Sequence, residues 1–300
     1  MTTTAMHTLQ LAKDNYIYRF IIMIVNGNTI KAIVTDLDGT LLDPAGEITD
    51  YTSCILTRLY VSGIEVILTT GRHPRNVFKQ LKPLDFSPTI LGCNGALEVQ
   101  TNELAYAQNI TFPHSTYQQL LRFLSGPNTH VSVFDTDGWH VSEVSHNVST
   151  YSSKFQFPYF LHRPKHLLSL RANKLLVSTS HDIKEVERKL RSLFENECEI
   201  TLSADHSIEI SPKYVTKATA ADRHLSLKGI DLEKEAIAFG DGMSDESILK
   251  TAALGIVMQN AMSDLPHRLP NPLFTQSNAN DGVAKFLIKF FNLSLKGSYA

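Results

Sequence analysis

From Thr29 onward the chain alternates short β-branched runs with amphipathic stretches, and after a long interruption the same alternation resumes beyond Pro212. That rhythm calls for strand–helix–strand units in a mostly parallel sheet, because parallel neighbours are joined by crossovers long enough to hold a helix. Ile30 to Thr35 reads as a buried strand and Ile64 to Thr69 as the next. Between them Thr49 is placed to cap a helix whose Ile55, Leu56 and Leu59 share a face, with Gly63 at its end. Pro74 suits the first turn of another helix, and Pro88 to Cys93 reads as a third strand closing at Asn94-Gly95.

Near Ile110 to Pro113 the style changes. Val131 to Phe134 and Trp139 to Val144 flank Asp135-Thr136-Asp137-Gly138, a hairpin signal. Leu175 to Thr179 reads as a strand, Asp182 to Phe194 as a helix, and Glu199 to Leu202 with Ser207 to Ile210 as a strand pair. Past Pro212 come a helix from Lys217, a strand Ala236 to Phe239, a helix near Glu246, a strand Leu254 to Met258 and a last helix from Asp281. One domain inserted into another explains the return. The expectation is an α/β fold, a doubly wound and mostly parallel sheet built from 28–111 and 207–300, carrying an inserted α+β domain at 112–206 behind an N-terminal extension at 1–27.

With 300 residues, 43% hydrophobic and 19% charged, the chain can bury full cores. A formal net charge of -2 offers no basic field to a nucleic-acid backbone. The apolar run Phe20 to Val25 falls far short of the roughly 20 residues a membrane span needs. It follows Lys13, Asp14 and Arg19, and no small-residue cleavage site comes after it, so an extension or an upstream start ahead of Met23 is expected rather than a leader. Three scattered cysteines, Cys54, Cys93 and Cys198, suggest neither a disulfide framework nor a zinc site and fit a reducing cytoplasm. Nothing in the sequence sets an oligomeric state.

The chemistry sits where strands end. Asp36-Leu37-Asp38-Gly39-Thr40-Leu41 follows the first strand, and in an open parallel sheet ligands bind at the carboxyl ends of strands. Gly39 lets the chain turn so that Asp38 can bend back over Asp36, and one acid can then serve as nucleophile while the other serves the leaving group. A carboxylate attacking a phosphate needs a cation between them, and Mg2+ takes oxygen ligands of this kind. Gly240-Asp241-Gly242-Met243-Ser244-Asp245, again after a strand, supplies Asp241 as a ligand and Asp245 as a supporting acid. Thr70, in Thr69-Thr70-Gly71-Arg72, and Lys217, opening a helix, complete an anion cradle.

This ordered set resembles the haloacid dehalogenase superfamily, and more narrowly the Cof-type phosphatases, which carry a large cap between the Thr and Lys motifs. Cys93-Asn94-Gly95-Ala96, Met258-Gln259-Asn260-Ala261 and Asn280-Asp281-Gly282-Val283 are similar to further signatures of that subgroup. The resemblance implies Asp36 as nucleophile and Asp38 as general acid and later base, with Thr70 and Lys217 binding the transferring phosphoryl group. It implies Mg2+ held by Asp36, the Asp38 backbone carbonyl and Asp241, with Asp245 in support, and phosphate or substrate contacts from Gly39, Gly71, Arg72, Asn94 and Ser244. Ser244 stands where the subgroup usually has Asn, and Ala218 where Gly is common after the Lys. The implied substrate is a small phosphorylated metabolite, such as a sugar phosphate or pyridoxal 5'-phosphate, with no nucleic-acid or membrane partner. Asp-Gly pairs are also ordinary turn chemistry, but four such motifs in order at strand ends outweigh that reading. Two rivals remain: a phosphosugar mutase, and a phosphate-binding regulatory module that has lost turnover. In the inserted region Trp139 and His140 can face substrate or pack, while Arg171 and Lys174 are expected to be solvated.

Overall fold

The computed structural model describes residues 24–25, 27–100, 105–204 and 207–293, so most of the N-terminal extension lies outside the described residues. Two sheets organise the chain. The larger has eight strands in the order Leu273–Thr275, Leu254–Met258, Ala236–Gly240, Ala32–Asp36, Glu65–Thr69, Thr89–Gly92, Leu97–Val99 and Tyr106–Asn109. All pairings are parallel until the last two strands, which turn back antiparallel. The first strand of the series, Ala32–Asp36, is buried along its whole length, as a strand covered by helices on both faces must be. From it the chain steps one way to Glu65–Thr69 and, much later, the other way to Ala236–Gly240. This places a topological switch point at the strand bearing Asp36.

Thr49 does cap the first helix, Asp50–Val61: its hydroxyl oxygen accepts from the Thr52 N–H at 3.1 Å, and Ile55, Leu56 and Leu59 are buried. The helix expected after Pro74 does not form. Pro74–Asn76 is a single 3-10 turn, and bonds from Gln80 N to Val77 O and Leu84 N to Leu81 O, three residues apart, continue it as turns to Leu84. Val77, Leu81 and Leu84 have helical spacing and are buried, but the packing they reach needs no α-helix.

The smaller sheet has six strands in the order Tyr159–Leu161, Trp139–Val141, Thr129–Phe134, Lys174–Thr179, Ser207–Pro212 and Cys198–Ala204. Ser207–Pro212 pairs here, beside Lys174–Thr179, one strand past the boundary expected from the sequence. Leu175, Val177, Ile208 and Ile210 pack with the helices His114–Leu124 and Ile183–Phe194 in one apolar core. The alternate residues Lys174, Leu176, Ser178 and Glu209 point the other way and roof a cavity above the larger sheet. Among the described residues, no helix is long and apolar enough to cross a membrane.

Candidate active site

Asp36 ends its strand, and its carboxylate lies 2.7 Å from Lys217 Nζ. Lys217 opens the helix Lys217–Leu227, whose Thr216 cap fixes the start, and is only 1% exposed. Its ammonium also meets Asp245 Oδ1 at 2.6 Å, while Asp245 Oδ2 accepts from the Asp241 and Gly242 N–H groups at 3.0 and 2.9 Å. Asp245 is thus a brace that turns Lys217 toward Asp36 and shapes the loop carrying Asp241. Oxygens of Asp36, Asp241 and Asp245 come within 4.8 Å of one another. Thr40 donates to Asp241 Oδ1 at 2.7 Å, and Asn260 donates to Gly39 O at 2.7 Å. Asp281 accepts from the Thr52 hydroxyl at 3.0 Å and from that of Thr49, so one further signature ties down the Gly39 loop and another the start of the helix Asp50–Val61.

The charges do not balance. Burial first, then the Asp245 carboxylate, pushes Asp36 well above the usual range, with Lys217 pulling the other way. Burial would lower Lys217, but Asp245 and Asp36 outweigh it and keep it cationic. Asp241 is pushed up from 3.8 to about 6, by burial and then by Asp245. Three clustered carboxylates share one ammonium, which is the donor set and the charge deficit that a hard divalent cation fits. In metal-free protein the raised Asp241 value makes its contribution to stability fall as pH rises from the ordinary carboxylate range through about 6. The rise in melting temperature produced by Mg2+ should therefore grow from about pH 5 to about pH 7; a flat or inverse trend would contradict the cluster as the binding site.

Gly39 has φ +77°, and a Cβ there would lie 2.3 Å from Asp241 Oδ2. Gly39→Ala is expected to cost about 1–3 kcal/mol in backbone strain and to remove the Mg2+-induced shift in melting temperature, because the carboxylate must move.

Asp38 has a partner that the sequence reading did not give it. Both its oxygens are taken by Arg72, Nε reaching Oδ2 at 2.6 Å and Nη2 reaching Oδ1, while it lines the same cavity as Asp36 and Asp241. Arg72 lies against the Phe155 ring at 4.3 Å, and its buried Nη1 finds no partner among the described residues. Thr70 is buried, with its hydroxyl oxygen accepting from Arg72 N at 3.0 Å and its carbonyl accepting from Asn94 N at 2.9 Å. Gly71 and Ser244 line the cavity. Asn94, at φ +58°, donates to Glu209 Oε2 at 2.7 Å, and its own Oδ1 is buried without a partner among the described residues.

The roof holds what the sequence reading missed. Lys174, expected in solvent, is 3% exposed, ion-paired to Glu209 and donating to Gly71 O at 2.6 Å. Burial pushes the Glu209 carboxyl up, yet Lys174 and the Asn94 amide outweigh it and hold it below its usual range. Tyr151 and Phe155, from the helix His146–Phe155, form an aromatic wall with Trp139 and Phe134. Trp139 packs against Tyr151 and Tyr159 as well as lining the cavity, whereas His140 turns away to Asp135 and His162.

Acids at the switch point of a parallel sheet, a buried lysine among them, and a second sheet closing a cavity of about 510 Å³ over both make an enclosed, cation-ready ligand site of the kind doubly wound enzymes use. The chain belongs to the haloacid dehalogenase-like hydrolase family, whose sequence pattern matches residues 33–287, and within it to the Cof-type phosphatases. A Buchnera aphidicola protein (subspecies Acyrthosiphon pisum) that bears the name of a phosphatase is 30% identical over 268 residues, covering 87% of this chain and 96% of its own. The HMP-PP phosphatase of Cronobacter sakazakii is 26% identical over 254 residues, 84% of this chain and 92% of its own. A solved HAD subclass IIB sugar phosphatase superposes with a TM-score of 0.76 at 21% identity, covering 87% of this chain and 99% of that one, a likeness of fold.

Proposed function

We propose that the protein is a Mg2+-dependent phosphomonoesterase that releases phosphate from small metabolites, such as sugar phosphates or pyridoxal 5'-phosphate, through a phosphorylated Asp36. The observation that carries this reading is the Asp36 carboxylate, held by Lys217 at the floor of the cavity within reach of Asp241 and Asp245. Asp36, Asp241 and the Asp38 backbone carbonyl would hold the Mg2+, with Asp245 behind them; the ion would offset the repulsion between carboxylate and phosphate.

An Asp36 oxygen forms a bond to phosphorus as the bond from phosphorus to the leaving oxygen breaks, and Asp38 gives that oxygen its proton. For this step Asp38 leaves the Arg72 fork, and its half-exposed side chain has room to do so. Asp38 then takes a proton from water, whose oxygen attacks phosphorus and frees the Asp36 carboxylate with inorganic phosphate as product. Lys217 and the Thr70 hydroxyl neutralise and orient the group in transfer. The second sheet keeps bulk water from the intermediate. The test is intact-protein mass spectrometry after rapid acid quenching with p-nitrophenyl phosphate and Mg2+. A phosphoryl adduct that maps to Asp36 is expected, together with release of p-nitrophenol that stops on chelation. Turnover without any adduct on Asp36 would refute the covalent route.

A further inference from the structure

Directly above Gly71 three polar side-chain atoms meet. A Cβ placed on Gly71 would lie 2.9 Å from Glu209 Oε1, 3.2 Å from Lys174 Nζ and 3.3 Å from Asn94 Oδ1. Glu209 and Lys174 come from adjacent strands of the smaller sheet, and Gly71 and Asn94 from the loops that follow Glu65–Thr69 and Thr89–Gly92 of the larger, so this is where roof and floor touch. Both charged groups are buried inside a cavity that is otherwise walled on that side by Phe134, Trp139, Tyr151 and Phe155. A buried ion pair adds little to stability compared with apolar packing, so its place on a cavity wall points to a ligand.

We infer that Lys174 and Glu209 read the leaving group, selecting one that is neutral and hydroxylated and rejecting one that is apolar or carries a second negative charge. The inference rests on the phosphatase reading of the same site. An ammonium has three N–H groups; Lys174 gives one to Gly71 O and one to Glu209, which leaves one for a ligand oxygen. Glu209 accepts from Lys174 and Asn94 and as a carboxylate has lone pairs to spare. A hydroxyl alone both accepts from the one and donates to the other. An alkyl chain satisfies neither and leaves both desolvated. A carboxylate or second phosphate can accept from Lys174 but must lie beside Glu209 and Asp38. Of the lysine and arginine side chains lining the cavity, Arg72, Lys174 and Lys217 are each already paired with an acid. A side chain on Gly71 would press on the Glu209 carboxylate, which would have to shift.

Three phosphates of equal chain length separate the outcomes: sorbitol 6-phosphate, n-hexyl phosphate and 6-phosphogluconate. In the wild-type protein with Mg2+, kcat/KM for sorbitol 6-phosphate should exceed that for hexyl phosphate by about 100-fold or more, and that for 6-phosphogluconate by about 10-fold. The double variant Lys174→Met, Glu209→Leu removes the pair without stranding a charge, and should bring the first ratio to within about 5-fold. Glu209→Gln should shrink the second ratio by relieving the repulsion. Binding of the three compounds to Asp36→Asn protein, measured by calorimetry, should rank them in the same order without turnover. Equal wild-type use of hexyl and sorbitol phosphates, or ratios unchanged in the variants, overturns the inference and leaves the phosphatase reading standing. Ranked binding to Asp36→Asn with no phosphate released by wild type does the reverse.

Discussion

Asp36→Asn should lower phosphate release by roughly ten-thousand-fold or more, because the substitution keeps the shape of the side chain and removes the oxygen nucleophile. Circular dichroism should be unchanged. The fold does not need this charge: burial and the carboxylates of Asp245 and Asp241 already disfavour it, and only Lys217 holds it. The variant should also respond less to Mg2+ in thermal melting, having lost one of three clustered acids. Retained activity in Asp36→Asn would remove the covalent route.

Lys217→Met is expected to be the more damaging change for the protein as a whole. The ammonium sits between Asp36 and Asp245 with 1% of the residue exposed, and among the described residues no other lysine or arginine forms a salt bridge with either acid. Deleting one member of such a group typically costs about 3–5 kcal/mol, since the partners stay buried without compensation. The loss has a pH signature. Protonating the stranded carboxylates relieves it, so the deficit relative to wild type should be larger at about pH 8 than at about pH 5. Chemical denaturation at the two values checks this. A variant as stable as wild type at both would show that the acids are neutral in the native protein, contrary to the ion pairs described.

The floor of the site was legible in the sequence because its residues are fixed by short local rules. Asp36 closes a short apolar strand, Thr70 and Asp241 come directly after two others, and Lys217 follows a Thr cap; the open parallel sheet then brings strand ends together wherever they lie in the chain. The orientation of Asp38 was not legible. Gly39 permits more than one path, and the choice was made by Arg72, whose guanidinium is in turn set by Phe155 far along the chain. Lys174 looked like a surface charge because a lone lysine before a strand is solvated in most settings. What buries it is Glu209 on the neighbouring strand, a pairing of register that single-sequence periodicity does not carry. The missing helix after Pro74 has the same origin, since Val77, Leu81 and Leu84 report only that they are buried.

The strand Lys174–Thr179 alternates between two tasks. Leu175 and Val177 belong to an apolar core, whereas Lys174, Leu176 and Ser178 look into the cavity. On the proposed reading, selectivity and foldability are written on opposite sides of one ribbon, in even and odd positions respectively. A library that varies Leu176 and Ser178, and changes Lys174 only together with Glu209, would sample new substrates at little risk to the scaffold.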